Sequence, residues 1–176
     1  MVRRINIYAG PGAGKSVVAS VVYSNMKICG YNIELVSEYV KAWAYEGRNI
    51  NLFDQVYIFA HQLRRESLVL CNSDNIIITD SPVPLSICFA KRNGVKSWYH
   101  LQEIANEFEH RYPSYNIFLN RGDCKYKQDG RYETEEQAKE MDDLVRSHLV
   151  DIGVRCHDFS YNDYRSIIDN IRNNIG

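Results

Sequence analysis

One segment constrains this chain more than any other: AGPGAGKS, residues 9–16, follows a β-type run directly and precedes a helical pattern directly. A glycine-rich turn between strand and helix, closed by Lys-Ser, is the arrangement of a phosphate-binding P-loop. Gly10, Gly12 and Gly14 free the backbone to curl, so the N–H groups of Gly10, Gly12, Ala13, Gly14, Lys15, Ser16 and Val17 are expected to form a nucleotide cradle. The positive end of the following helix adds to it. Lys15 is expected to reach the β- and γ-phosphates of ATP, and Ser16 to ligate Mg2+. Ala9 occupies the place of the usual first glycine, a small and tolerable departure.

The rest of the chain supports the same class. Apolar runs at 4–9, 33–37, 75–79, 115–119 and 154–159 alternate with helical patterns, the signature of an α/β fold with a parallel sheet covered on both faces. Helices are expected from residue 15 to Gly30 with Val18, Val21, Val22 and Cys29 inward, from Glu38 to Gly47, from Leu52 to Cys71 with Val56, Phe59, Leu63 and Leu70 inward, and from Trp98 to His110. Thr134-x-x-Gln137 is a capping box ahead of Ala138, Met141, Val145, Leu149 and Ile152. Ile167, Ile168, Ile171 and Ile175 mark a last apolar edge that packs back on the sheet. With 176 residues and no linker, one domain over 1–176 is expected, with the polar stretch 121–133 as its lid.

A net charge of -1 excludes a surface that traps polyanions throughout, though not a local basic rim. Five scattered cysteines without C-x-x-C spacing point to reduced thiols, and with no membrane-length apolar run or leader the expected location is cytoplasmic. None of the five histidines has ligand spacing.

Beyond the P-loop, Asp80 ends the buried run IIIT, where a carboxylate can anchor Mg2+. Glu38, in VSEYVK, lies on the same carboxyl edge of the sheet. It is read either as the base that accepts an acceptor hydroxyl's proton or as an N-terminal helix carboxylate. Arg121, Lys125, Lys127 and Arg131 populate the lid, with the two arginines favoured as cations over the transferring phosphoryl group. Lys41, Gln62 and Arg65 are candidate acceptor contacts, with Gln62 and Arg65 on a helix face opposite the apolar stripe; Trp43, Tyr45 and Arg48 are candidates to line the pocket. Adenine is expected near residues 160–163.

The absence of N-K-x-D and D-x-x-G argues against a GTPase, and the length against an AAA+ module. The segments AGPGAGKS, VSEYVKAWAYEGR, DQVYIFAHQLRRE, IIITDSP and NRGDCKYKQDGRYET resemble a phage group of small P-loop kinases related to nicotinamide riboside kinase-like and deoxynucleoside-kinase-like enzymes, most closely the bacteriophage 5-hydroxymethyluracil DNA kinases. That resemblance implies a three-layer P-loop NTPase fold with sheet order 2-3-1-4-5. It also implies Mg2+-dependent transfer of the ATP γ-phosphoryl to the 5-hydroxymethyl group of 5-hydroxymethyluracil in DNA, with Glu38 as base, Asp80 organising Mg2+, and Arg121 and Arg131 as lid cations. The alternative acceptors are a free deoxynucleoside or nucleoside monophosphate. Against the free nucleoside stands Asp80-Ser81-Pro82 where deoxynucleoside kinases usually have Asp-Arg-Ser. A chain that binds ATP as a regulatory switch and hydrolyses it slowly is the reading from another class.

Overall fold

Ile5 and Ile7 point to one side of the first strand and Tyr8 to the other, and all three are fully buried. Such a strand belongs at the middle of a sheet with helices on both faces. The computed structural model describes residues 2–72 and 74–175. Along the chain run β1 (Arg4–Tyr8), α1 (Lys15–Ile28), β2 (Ile33–Val36), α2 (Lys41–Tyr45), α3 (Asp54–Asn72), β3 (Ile76–Thr79), α4 (Val83–Arg92), α5 (Trp98–Arg111), β4 (Ser114–Asn120), α6 (Glu135–Asp151), β5 (His157–Ser160) and α7 (Tyr164–Ile175).

The five strands are parallel and run β2-β3-β1-β4-β5, the order expected. β1 lies between β3 and β4, so the loop that leaves β1 stands at the centre of the carboxyl edge, beside the ends of β3 and β4. One face is covered by α1 and α7, whose Val18, Val22, Met26, Ile167 and Ile171 pack on Ile5, Ile7 and Ile117. The other carries α3, α4, α5 and α6. Each fully buried isoleucine contributes about 1.5–3 kcal/mol, enough for α7 to close the first face as its apolar spacing predicts.

The capping box forms as read: Thr134 Oγ1 accepts from Gln137 N–H at 3.3 Å, and the Gln137 side chain accepts from Thr134 N–H at 3.0 Å. Three expectations are corrected. Val83–Arg92 is a helix, α4, that the sequence reading passed over. Pro82 at its N-cap and Pro84 in its first turn suit a helix start, where no intrahelical donor is needed. Cys29 is exposed at the end of α1 rather than inward.

In α3 the inward stripe is rotated: Val56 is exposed, whereas Gln55, Ile58, Phe59, Gln62, Glu66 and Leu70 are buried. The polar members of that stripe have partners to meet. Arg4, fully buried on β1, pairs with Glu66 at 3.2 Å and Glu109 at 2.7 Å. Glu66 also accepts the N–H of Val83 at 3.1 Å, and Gln62 donates to Glu66 and to Thr79. Burial pushes the Glu66 carboxyl above the ordinary carboxylate range, opposed by Arg4 and by these hydrogen bonds. The network ties α3 and the start of α4 to the strand that ends at Asp80.

Candidate active site

The loop from Ala9 to Gly14 curls as its glycines allow. Gly14 takes φ 86°, a left-handed conformation open to glycine at little cost, and hands the chain into α1 at Lys15. Gly10 is needed for a different reason: a Cβ there would stand 2.5 Å from the carbonyl oxygen of Ala138 on α6. Ala13 is fully buried, and Ser16 and Val17 are exposed on the first turn of α1. Lys15 folds over the loop, its Nζ donating to the carbonyls of Ala9 at 2.9 Å and Gly10 at 2.8 Å. Burial lowers its pKa, opposed chiefly by Glu38 and Asp80.

Asp80 lies just past the end of β3, buried, and its Oδ1 accepts the backbone N–H of Glu38 at 3.0 Å. This bond joins the ends of β2 and β3 and sets Glu38 before the P-loop. Glu38 precedes α2 by three residues, so it is not a first-turn helix carboxylate, and that alternative falls away. Its pKa is raised, first by burial and then by Asp80, against the pull of Lys15, Lys41 and Arg131. A carboxyl group whose pKa is raised by burial, set beside a lysine, is a candidate for proton transfer.

The lid arginines part company. Arg131 hangs over the centre, within electrostatic reach of both Lys15 and Glu38, while its Nε donates to the Lys127 carbonyl. Arg121 does not hang from the lid. It is 8% exposed at the end of β4, and its Nε meets Asp142 Oδ2 of α6 at 2.7 Å. Its Nη2 donates to the carbonyls of Pro11 at 2.7 Å and Ala138 at 3.0 Å. The expectation of a cation closing from the lid is therefore corrected: burial and four acceptors hold Arg121 against the P-loop.

A cavity of about 670 Å3 opens from Pro11, Lys15 and Glu38 and runs between α2, the start of α3, α4 and the lid. That volume suits a small organic ligand. Tyr45 packs on Gly130, and Tyr132 OH donates to the Arg48 carbonyl at 2.6 Å, so the lid roofs the cavity against α2. Lys41 lines it. Gln62 does not: it is 1% exposed and engaged with Glu66 and Thr79, so its place as an acceptor contact is corrected. Arg65 lies outside the lining, donating to the Ser37 carbonyl at 2.9 Å. Trp43, Tyr45 and Arg48 also fail to line it, because Trp43 is core and Arg48 stacks on its ring at 3.4 Å.

Two residues that the sequence reading passed over belong to this site. Gln55, the second residue of α3, is 3% exposed and lines the cavity, and its amide has no hydrogen-bond partner among the described residues. Its spacing of seven from Gln62 puts both on one helix face, a signal legible only once the stripe is drawn through polar residues. Asp142 is the other; nothing local marks it, since its partner Gly10 lies 132 residues away.

For Mg2+, Asp80 and Ser16 flank Lys15, and Asp80 makes no other hydrogen bond among the described residues. A nucleotide-bound Mg2+ takes only one or two protein ligands beside phosphate and water, so this small donor set fits it. No cluster of three or more potential metal ligands occurs among the described residues. No helix among them is long and apolar enough to cross a membrane.

The family model described as AAA domain matches residues 4–166, nearly the whole chain, and the chain belongs to that family. The length argument against an AAA-type module is corrected by this match. Among solved structures, the deoxyadenosine kinase from M. mycoides with dCMP and a flexible dCDP bound superposes with a TM-score of 0.58 at 18% identity, covering 97% of each chain. The same enzyme with bound dATP gives 0.51 at 17% identity, again over 97% of each. At this identity the likeness shows a shared fold. No curated protein matches.

Proposed function

Starting from this AAA domain family member, we propose that the chain is an ATP-dependent kinase that phosphorylates a hydroxyl of a nucleoside or nucleoside monophosphate held in the roofed cavity. The observation that carries the acceptor assignment is Gln55. A primary amide with no protein partner among the described residues lines a cavity that begins at the P-loop. Such a group awaits a ligand with a paired donor and acceptor edge, which a nucleobase supplies. The likeness to deoxyadenosine kinase supports the same class of acceptor.

In this reading the P-loop amides and Lys15 hold the donor phosphates, and Ser16 and Asp80 would hold Mg2+, which when bound would offset phosphate charge. Glu38 takes the acceptor hydroxyl proton as the acceptor oxygen bonds to Pγ and the Pγ–O bond to the β-phosphate breaks, leaving ADP. Arg131 offsets the charge developing on the transferring group. The raised pKa of Glu38 places its proton affinity closer to neutrality, as proton transfer there requires.

The second reading is the 5-hydroxymethyl group of 5-hydroxymethyluracil in DNA. Ser81 favours it, since it lines the cavity where deoxynucleoside kinases usually place an arginine. The basic rim that DNA would use is dispersed, however. Arg48 stacks on Trp43, Arg65 bonds the Ser37 carbonyl, and Lys91 faces Trp98 and Asp151. The lid also roofs the entrance.

The test is transfer of label from γ-labelled ATP, with Mg2+, to a panel of free nucleosides, nucleoside monophosphates, unmodified DNA and DNA containing 5-hydroxymethyluracil. Label on a free nucleoside or monophosphate supports the proposal. Label on the modified DNA alone replaces it with the second reading. Slow ATP loss with no labelled acceptor replaces both with a nucleotide-dependent switch.

A further inference from the structure

The P-loop is gripped from behind by an ion pair between buried Arg121 and half-buried Asp142 that none of the roles above uses. Asp142, on the second turn of α6, accepts the Gly10 N–H on Oδ1 at 2.6 Å and Arg121 Nε on Oδ2 at 2.7 Å. Arg121 in turn holds Pro11 through its carbonyl at 2.7 Å. The first half of the phosphate loop is thus bound at two successive residues, once by each member of the pair.

Of the three guanidinium nitrogens, Nε and Nη2 are committed. Nη1 is buried and has no partner among the described residues. It lies 3.4 Å from where a Cβ on Gly12 would stand, against the loop itself. A buried guanidinium nitrogen left without an acceptor is costly. One held beside a phosphate-binding loop has an obvious acceptor to await, an oxygen of the bound nucleotide.

We infer that Asp142 is a positioning residue for the phosphate donor: by fixing Gly10 and orienting Arg121, it leaves Arg121 Nη1 aimed at the nucleotide seated in the P-loop. The inference rests on the proposed function only in requiring that the P-loop bind a nucleoside triphosphate.

The sign of one substitution separates this role from plain electrostatics. Asp142→Asn keeps an oxygen for Gly10 N–H but turns an NH2 toward Arg121 Nε, setting donor against donor and displacing the guanidinium. Charge alone predicts the opposite outcome, since removing a carboxylate near the phosphates relieves repulsion and tightens binding. Calorimetric titration of the whole chain with Mg2+–ATP, without acceptor, reads the difference directly. The expected result is at least tenfold weaker Mg2+–ATP binding for Asp142→Asn, with KM for ATP raised in step. Asp142→Glu, which restores an acceptor-only group, is expected to recover part of the loss.

A second variant guards against misfolding. Arg121→Lys keeps the ion pair but not the fork that spans Asp142, Pro11 and the nucleotide, so it too is expected to weaken ATP binding about tenfold. Unchanged or tighter ATP binding in folded Asp142→Asn, or unchanged binding in Arg121→Lys, overturns the inference alone. Failure of the unaltered chain to bind any nucleoside triphosphate overturns both the inference and the proposed function.

Discussion

Replacing Gln55 by leucine is expected to move stability and acceptor binding in opposite directions. The side chain is 3% exposed and its amide is without a hydrogen bond among the described residues, so in the free chain only water in the cavity offsets its desolvation. Burying an unpaired amide costs about 1–3 kcal/mol by mutational measure, and water in the cavity recovers part of that. Leucine has similar volume, so no void opens and the removed cost appears as a gain of about 1 kcal/mol. For a chain of this size that is a rise in Tm of roughly 2–4 °C. Acceptor binding suffers because the nucleobase edge now faces a methyl group and loses one or two hydrogen bonds. That loss is about 1.5–3 kcal/mol, or a roughly ten- to hundredfold fall in kcat/KM for the acceptor with KM for ATP unchanged. Thermal unfolding followed by circular dichroism, and steady-state transfer to whichever acceptor the panel identifies, measure the two arms. A lowered Tm would mean that the amide is satisfied in the free protein, and an unchanged acceptor kcat/KM would mean that it does not face the acceptor; either refutes the reasoning.

Glu38→Gln should abolish transfer by 10²-fold or more while leaving ATP affinity within a few-fold, as loss of a general base does. In the unaltered chain the acid limb of kcat/KM should lie above the ordinary carboxylate range, because burial raises this pKa. Linkage gives a second check on the same group. With its folded pKa above its unfolded value, Glu38 contributes stability that is fully present below the unfolded pKa and is lost as pH rises through the folded pKa. The stability of the unaltered chain minus that of Glu38→Gln, measured by urea unfolding, should therefore fall as pH rises through that window, and a value that rises would contradict the assignment. Arg4→Met leaves Glu66 buried and uncompensated and should cost about 3–5 kcal/mol in urea unfolding, whereas Arg4→Met with Glu66→Leu should recover part of it. Thr134→Ala removes the cap of α6 and should cost about 1 kcal/mol by the same measurement, with no change beyond that in ATP affinity.

Particular residues show where reading from sequence stops. Thr134 and Gln137 are three apart, and a capping box is closed by that spacing alone. The isoleucines from 167 to 175 repeat at helical spacing, and an exposed stripe of that kind has one place to go. α4 lacks a side-chain cap, and its start is marked only by prolines whose helix-starting role shows once β3 is seen to end just before them. The face of α3 was misdrawn because hydrophobicity was taken as the mark of burial. Gln62 and Glu66 are buried since Arg4, Thr79 and the first turn of α4 meet them there, and those partners are fixed by the packing of four separate elements.

The candidate site divides along the same line. The P-loop, the strand-end carboxylate Asp80 and the position of Glu38 were legible because each follows from a short run: glycines that permit left-handed φ, a lysine and serine at the helix start, and acidic residues where buried strands end. The sequence by itself therefore determined the class of fold and the presence of a phosphate-binding loop. Tertiary structure decided which arginine hangs over the centre and which grips the loop from behind, which glutamine faces the cavity, and that Asp142 holds Gly10. Those assignments depend on where side chains far apart in the chain come to rest, and whether a polar group ends as a solvated surface residue or a buried partner is set by what packs against it.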